Sequence, residues 1–182
     1  MMVKYKAPPT QTAVLDQAAQ TTAFFVALIL AAWIATGTGW AASYKDNGNG
    51  TITDEVSGLL WQQADSYHEF KRGMNWYEAL EYVALKNSEK FAGFDDWRLP
   101  TRNELKSLYD KSRPAKSKGG ERIGLPPVFK SGGSYYLWTT NERGLDNAWY
   151  FGLGFKEDYF NLKELGDLDQ GVKMVRGKPT AE

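Results

Sequence analysis

The sequence predicts an α+β fold: one domain with two capped helices and a twisted antiparallel sheet, preceded by an N-terminal hydrophobic leader. Three observations carry that reading. Two helix starts share one reciprocal cap, Asn75 with Glu78 and Thr101 with Glu104, in which the first side chain accepts the N–H three residues on and the carboxylate reaches back. The last third alternates turn residues with short runs rich in aromatic and β-branched side chains, the pattern of strands. Finally, 182 residues with 42% hydrophobic and 14% aromatic content suffice for one core of ordinary size but hardly two.

The leader comes first. Lys4 and Lys6 precede an uncharged stretch from Gln17 to Tyr44, whose apolar centre runs from Ala23 to Ala35. That centre is short for a membrane span, which needs ~20 apolar residues, and fits the hydrophobic region of a secretory leader. Gly39 and Ala41 supply the small residues of a cut before Ala42, dividing the chain into a signal peptide, 1–41, and a domain, 42–182. Retention as a signal-anchor is the alternative, with Trp40 at the membrane interface. On either course the domain is expected to be exported, periplasmic or at the cell surface, or anchored in the inner membrane by this segment. With no cysteine in the chain there is no disulfide and no thiol nucleophile, so stability must come from packing and hydrogen bonds.

From Ser43 to Gln62 the sequence reads as a hairpin. Asn47-Gly48 and Asn49-Gly50 tolerate positive φ in tight turns, and Thr51-Ile52-Thr53 has strand chemistry. Asp46, Asn49 and Asp54 lack the spacing of an EF-hand, so a hydrogen-bonded turn is expected rather than a calcium loop. Leu59-Leu60-Trp61 reads as a buried strand. His68 falls in a predicted loop, as a solvated side chain. The first helix starts at Asn75, with Trp76, Ala79, Leu80 and Val83 on its inner face and Glu78, Glu81 and Lys86 toward solvent.

The centre of the chain is Asp95-Asp96-Trp97-Arg98-Leu99-Pro100-Thr101, read as a strand that Pro100 must end because it keeps Leu99 out of the α region. Trp97 is expected between the helices and the sheet, with Arg98 in a structural charge pair or backbone contact. The second helix runs from Arg102 to about Tyr109 and stops before Pro114. Beyond it Lys111, Arg113, Lys116, Lys118, Arg122 and Lys130 stand among Pro, Ser and Gly, a long basic loop. It is either a solvated excursion or an anion-binding surface, and both readings stay open. Strands are then predicted at 135–140, 148–151, 158–162 and 171–176.

Asp95-Asp96-Trp97-Arg98-Leu99-Pro100-Thr101-Arg102-Asn103-Glu104-Leu105, with Gly58-Leu59-Leu60-Trp61-Gln62, Tyr136-Leu137-Trp138-Thr139-Thr140 and Ala148-Trp149-Tyr150, resembles the Lcl C-terminal domain family, named after a bacterial collagen-like adhesin. The resemblance runs from Tyr44 to Gly177. The Arg-Leu-Pro-Thr-x-x-Glu core is also similar to that of formylglycine-generating enzymes, so the resemblance implies a C-type-lectin-like domain. The cysteines on which that enzyme chemistry depends are absent here, and so are the Glu-Pro-Asn and Trp-Asn-Asp triplets of calcium-dependent lectins.

A non-enzymatic binding or adhesion module is therefore expected, without catalytic residues, metal or cofactor. Its partner is a polysaccharide or another glycosaminoglycan-like polyanion. Equal numbers of acidic and basic residues, 22 each, give no pull toward nucleic acid. Two surfaces are candidates. One is the basic segment, Lys111, Arg113, Lys116, Lys118 and Arg122. The other is Asn141, Glu142, Arg143, Asp146 and Asn147, flanked by Trp138 and Trp149, where aromatic faces stand beside carboxylates and amides as a sugar requires. The competing expectation is an accessory subunit held to a membrane-protein partner by a retained leader.

Overall fold

A computed structural model describes residues 43–166 and 169–179, which belong to one unit spanning Ala42–Glu182. The leader, its cleavage site and its anchor alternative lie outside the described residues. The architecture is α+β as expected. In place of one sheet the described residues form two four-stranded sheets and a two-stranded ribbon.

The first sheet has the order β1 (Tyr44–Asp46), β2 (Thr51–Asp54), β3 (Leu60–Gln62) and β10 (Val175–Arg176), all antiparallel. Its first turn is the hydrogen-bonded one the sequence calls for. Asp46 Oδ1 accepts the Gly48 amide at 2.9 Å and Asn49 Oδ1 accepts the Thr51 hydroxyl at 2.6 Å. Gly48 and Gly50 take φ of 73° and 82°, values that cost other residues strain. Asp54 closes the next turn on the Val56 amide and the Ser57 hydroxyl.

Helix α1 (Ser66–Phe70) occupies the place of the predicted loop around His68. In α2 (Trp76–Ser88) the cap is as read: Asn75 accepts the Glu78 amide at 2.8 Å and Glu78 accepts the Asn75 amide at 2.9 Å. The inner face is rotated from expectation. Leu80 is 40% exposed, whereas Tyr82 and Lys86 are buried with Trp76, Ala79 and Val83. Lys86 is tolerated there because its ammonium reaches Glu69 at 2.9 Å and Glu89 at 3.0 Å while its stem lies along the helix.

The expected central strand shrinks to one bridge, Arg98 with Val175. The reason is local: the Asn87 side chain takes both the Trp97 N–H, at 2.7 Å, and the Trp97 carbonyl, at 2.9 Å, leaving only Arg98 to pair. Trp97 is buried against α2, and the cap of α3 (Arg102–Leu108) forms as predicted, Thr101 with Glu104. Arg98 grips the fully buried Glu104 with two N–H···O bonds of 2.8 and 2.7 Å, the structural pair anticipated for it.

The long basic loop is corrected. It carries the ribbon β4 (Ala115–Lys116) with β5 (Arg122–Ile123), and Ala115, Ile123, Leu125 and Phe129 are buried in the core. Those apolar residues, scattered among the lysines, tie the segment down.

The second sheet has the order β8 (Glu157–Leu162), β7 (Asn147–Gly152), β6 (Tyr136–Arg143) and β9 (Gln170–Gly171), with β9 parallel to β6. Leu137 and Phe151 pair on one face and join the core beneath α3; Trp138 and Tyr150 pair on the other and join the core beneath α2. The predicted strand 171–176 is split, because Gly171 pairs with β6 whereas Val175 pairs with β3. Between them the Val172 and Met174 amides are taken by the side chains of Ser66 and Gln62, at 2.9 and 3.2 Å.

Candidate functional site

The cations of the basic segment are unequally available. Arg122 donates to the Arg113 and Ser112 carbonyls at 3.1 and 2.9 Å. Arg113 donates to the Gly154 carbonyl and lies over the Phe155 ring. Lys118 pairs with Asp169 at 2.6 Å and sits 5.0 Å from the Tyr67 ring centre. Lys111, Lys116 and Arg122 are the exposed ones of the five, and Arg122 is engaged by the neighbouring carbonyls. Three of the five, Arg113, Lys118 and Arg122, thus hold neighbouring chain or an acidic partner.

The second candidate region is divided by strand alternation. Trp138 has 0% exposure and donates its indole N–H to the Met74 carbonyl at 2.7 Å, so its expected place on a ligand surface is corrected to the core. Glu142 pairs with Lys163, and the Asn141 side chain accepts the Arg102 amide at 2.9 Å. Asp146 accepts the Lys163 amide through its carbonyl, and Asn147 opens β7 opposite Arg143. Trp149 is half-buried on the face that α3 covers, next to Phe160 of β8.

Around Trp149 the structure brings together residues that the sequence reading kept apart. The Arg102 guanidinium lies 4.6 Å from the Trp149 ring centre. Arg143 lies 5.4 Å from Trp149 and only 3.6 Å from the Phe160 ring centre, the spacing of a flat guanidinium on an aromatic face. Lys106, one turn on from Arg102, pairs with Asp158 at 2.5 Å, and Arg102 approaches the same carboxylate at 3.8 Å. Two cations thus share one carboxylate, and the third lies on the neighbouring rings. Arg143 makes no ion pair or side-chain hydrogen bond among the described residues, so its donors face outward. Arg102, Lys106, Asp158 and Phe160 were missed. The signals were the i, i+4 spacing of Arg102 and Lys106 on one helix face and the alternation that puts Phe160 beside Trp149.

The sequence model of the Lcl C-terminal domain matches residues 50–176. The chain belongs to the Lcl C-terminal domain family. Among curated proteins none matches it.

This Lcl C-terminal domain also contains a polar knot where β3, α1 and the start of β6 meet. Asp65 accepts the Ser134 amide at 2.6 Å and meets His68 Nδ1 at 2.8 Å, while His68 Nε2 lies 3.1 Å from the Ser131 carbonyl. His68 is therefore a staple between segments, which corrects the solvated-loop reading. Burial alone would raise the Asp65 carboxyl, but His68, the Lys173 charge and the Ser134 amide together hold it below its ordinary 3.8. Lys173, fully buried, donates to the Gln62 and Gln63 carbonyls at 3.1 and 2.9 Å. Burial pulls its ammonium down to about 8, against the opposing pull of Asp65. In front of the knot opens a cleft of about 460 Å³ lined by His68, Glu69, Lys86, Phe91 and Lys130 among others. Among the described residues no group of three or more acidic or His side chains could hold a metal ion, and no helix is long and apolar enough to cross a membrane.

Proposed function

We propose that this protein is an exported, non-enzymatic binding module of C-type-lectin-like fold that takes acidic polysaccharide at the Arg102, Lys106, Arg143 and Trp149 surface. One observation carries the reading: Arg143 is laid flat on Phe160, at 3.6 Å, with its donors uncommitted. A guanidinium already stacked on a ring loses little freedom when it forms two parallel bonds to a carboxylate or sulfate. Arg102 and Lys106 exceed the charge of Asp158 beside it, which adds attraction for further anionic groups along a chain. Trp149 and Phe160 supply aromatic surface for the C–H face of a sugar, and Phe160 is 47% exposed. The export half of the proposal rests on Lys4 and Lys6 before the apolar segment and on the small residues Gly39 and Ala41 that follow it.

The test is elution from a heparin column and calorimetric titration with heparin hexasaccharide. Arg143→Ala should weaken binding about tenfold, the scale of one lost charged contact. Binding should also weaken as salt shortens the Debye length from about 10 Å at 0.1 M to about 3 Å at 1 M. Unchanged elution of Arg143→Ala, combined with loss in Lys111→Ser/Lys116→Ser, would return the site to the basic segment.

A further inference from the structure

The opposite face of the same sheet carries a second aromatic array, and its electrostatics differ in sign. Strand register sets Tyr150 against Tyr159, one residue out of phase with Trp149 against Phe160, so the two arrays point away from each other. The ring centres of Tyr136 and Tyr150 are 5.3 Å apart, those of Tyr136 and Tyr159 are 5.5 Å apart, and Tyr150 stacks on Tyr159 at 5.5 Å. All three rings are partly exposed.

The backbone makes room for this. At Gly152 a Cβ would stand 2.9 Å from Tyr159 Cε2 and 3.3 Å from Tyr136 Cε1, so only a glycine lets the two rings close over β7. Next to Tyr136 lies a cleft of about 240 Å³, lined also by Tyr135, Lys118, Glu121 and Asp169. That is below the roughly 300 Å³ at which pockets for drug-sized molecules begin, the scale of a short stretch of sugar rather than a folded ligand.

The polar groups at this cleft form a particular set. Lys118 Nζ and Asp169 Oδ1 lie 2.6 Å apart, a donor and an acceptor side by side, as two neighbouring hydroxyls of a pyranose require. Glu121 adds a second acceptor. The Ser117 hydroxyl bonded to it holds its carboxyl below the ordinary 4.5. Two carboxylates against one ammonium leave the rim negative, which repels a sulfated or carboxylated chain and leaves hydroxyl-bearing sugars as the class that fits.

We infer that the tyrosine cleft is a second binding site, on the face away from Trp149, and that its ligand is an uncharged oligosaccharide. Tyr136 and Tyr159 meet the C–H face of the ring, and Lys118, Asp169 and Glu121 take its hydroxyls. The inference does not depend on the acidic-polysaccharide site. A domain with both would join a neutral glycan to an acidic one.

The experiment is calorimetric titration of the full chain with cellohexaose, xylohexaose, mannohexaose, maltohexaose and chitohexaose. At least one should bind with a dissociation constant below about 1 mM, with no dependence on salt. Tyr159→Ala on the outer strand and, separately, Asp169→Asn should each weaken that binding about tenfold, while Arg143→Ala leaves it unchanged. Unfolding curves of both variants that overlay the wild type separate lost contact from lost fold. Failure of all five hexasaccharides to bind at about 5 mM would overturn the inference. So would binding that Tyr159→Ala and Asp169→Asn both leave intact, or binding that Arg143→Ala abolishes.

Discussion

Arg122 and Arg143 carry the same charge in short polar stretches, yet the structure uses them in opposite ways. Arg122 donates to two backbone carbonyls of the turn it closes. Arg143 lies on two rings and donates to nothing among the described residues. The difference comes from what surrounds each. Between Lys111 and Lys130 the chain makes a two-residue ribbon with few sheet bonds, so its carbonyls need other donors and the cations supply them. Along β6 and β7 the carbonyls are already paired, so a cation there remains available. A run of basic residues in a sequence is thus a poor count of the charge a partner would meet.

The comparison breaks most severely at a third arginine. Arg98→Ala removes the fork on fully buried Glu104, which keeps the bond from the Thr101 amide but loses the guanidinium charge; this should cost about 3–5 kcal/mol in denaturant unfolding. Full stability in that variant would show that the pair is not the structural anchor of the centre.

An effect of intermediate size should follow pH. Asp65 has its folded pKa below 3.8, so its stabilisation is complete above 3.8 and is lost as pH falls through the lower folded value. Lys173 has the opposite slope: with a folded pKa of about 8 against 10.5, the unfolded chain binds more protons between those values, so stability rises over that window. Thermal melts of the wild type and Lys173→Met across pH 7 to 10 should lose that rise in the variant.

Smaller still, Arg122→Ala should cost about 1–2 kcal/mol of stability through two lost hydrogen bonds and leave heparin elution unchanged. Arg143→Ala should show the reverse, with stability within about 0.5 kcal/mol of wild type and elution at lower salt. If both variants changed stability alone, neither arginine would be a ligand contact.

The caps were legible because they are local: Asn75 with Glu78 and Thr101 with Glu104 need only four consecutive residues to be recognised. The turn at Asn47-Gly48 was legible for the same reason. What could not be read were the places where a distant side chain takes the backbone's bonds. Asn87 on Trp97 shortens a strand, and Ser66 and Gln62 divide another. The candidate site was half legible. Arg143 and Trp149 stood out on composition, but placing Trp138 beside them ignored the pleat, which sends Trp138 into the core. The tyrosine array was also within reach, since Tyr150 and Tyr159 align once β7 and β8 are put in register. Two adjacent residues of one strand look alike in a sequence and meet different surroundings.

The crossing of residues 170–176 between the two sheets bears on how the chain reaches its native state. The bonds that Val172 and Met174 make with Ser66 and Gln62 join positions 106 and 112 apart, so the earliest strands acquire their last neighbour only from the final segment. Such connectivity raises the contact order and slows folding, because loop closure over that length precedes any reward in contacts. During synthesis the first sheet would lack β10 until Val175 and Arg176 have emerged. A domain that closes with residues 170–176 stays open until they have been made, and in that state it can be threaded or held by a chaperone, or lost to aggregation.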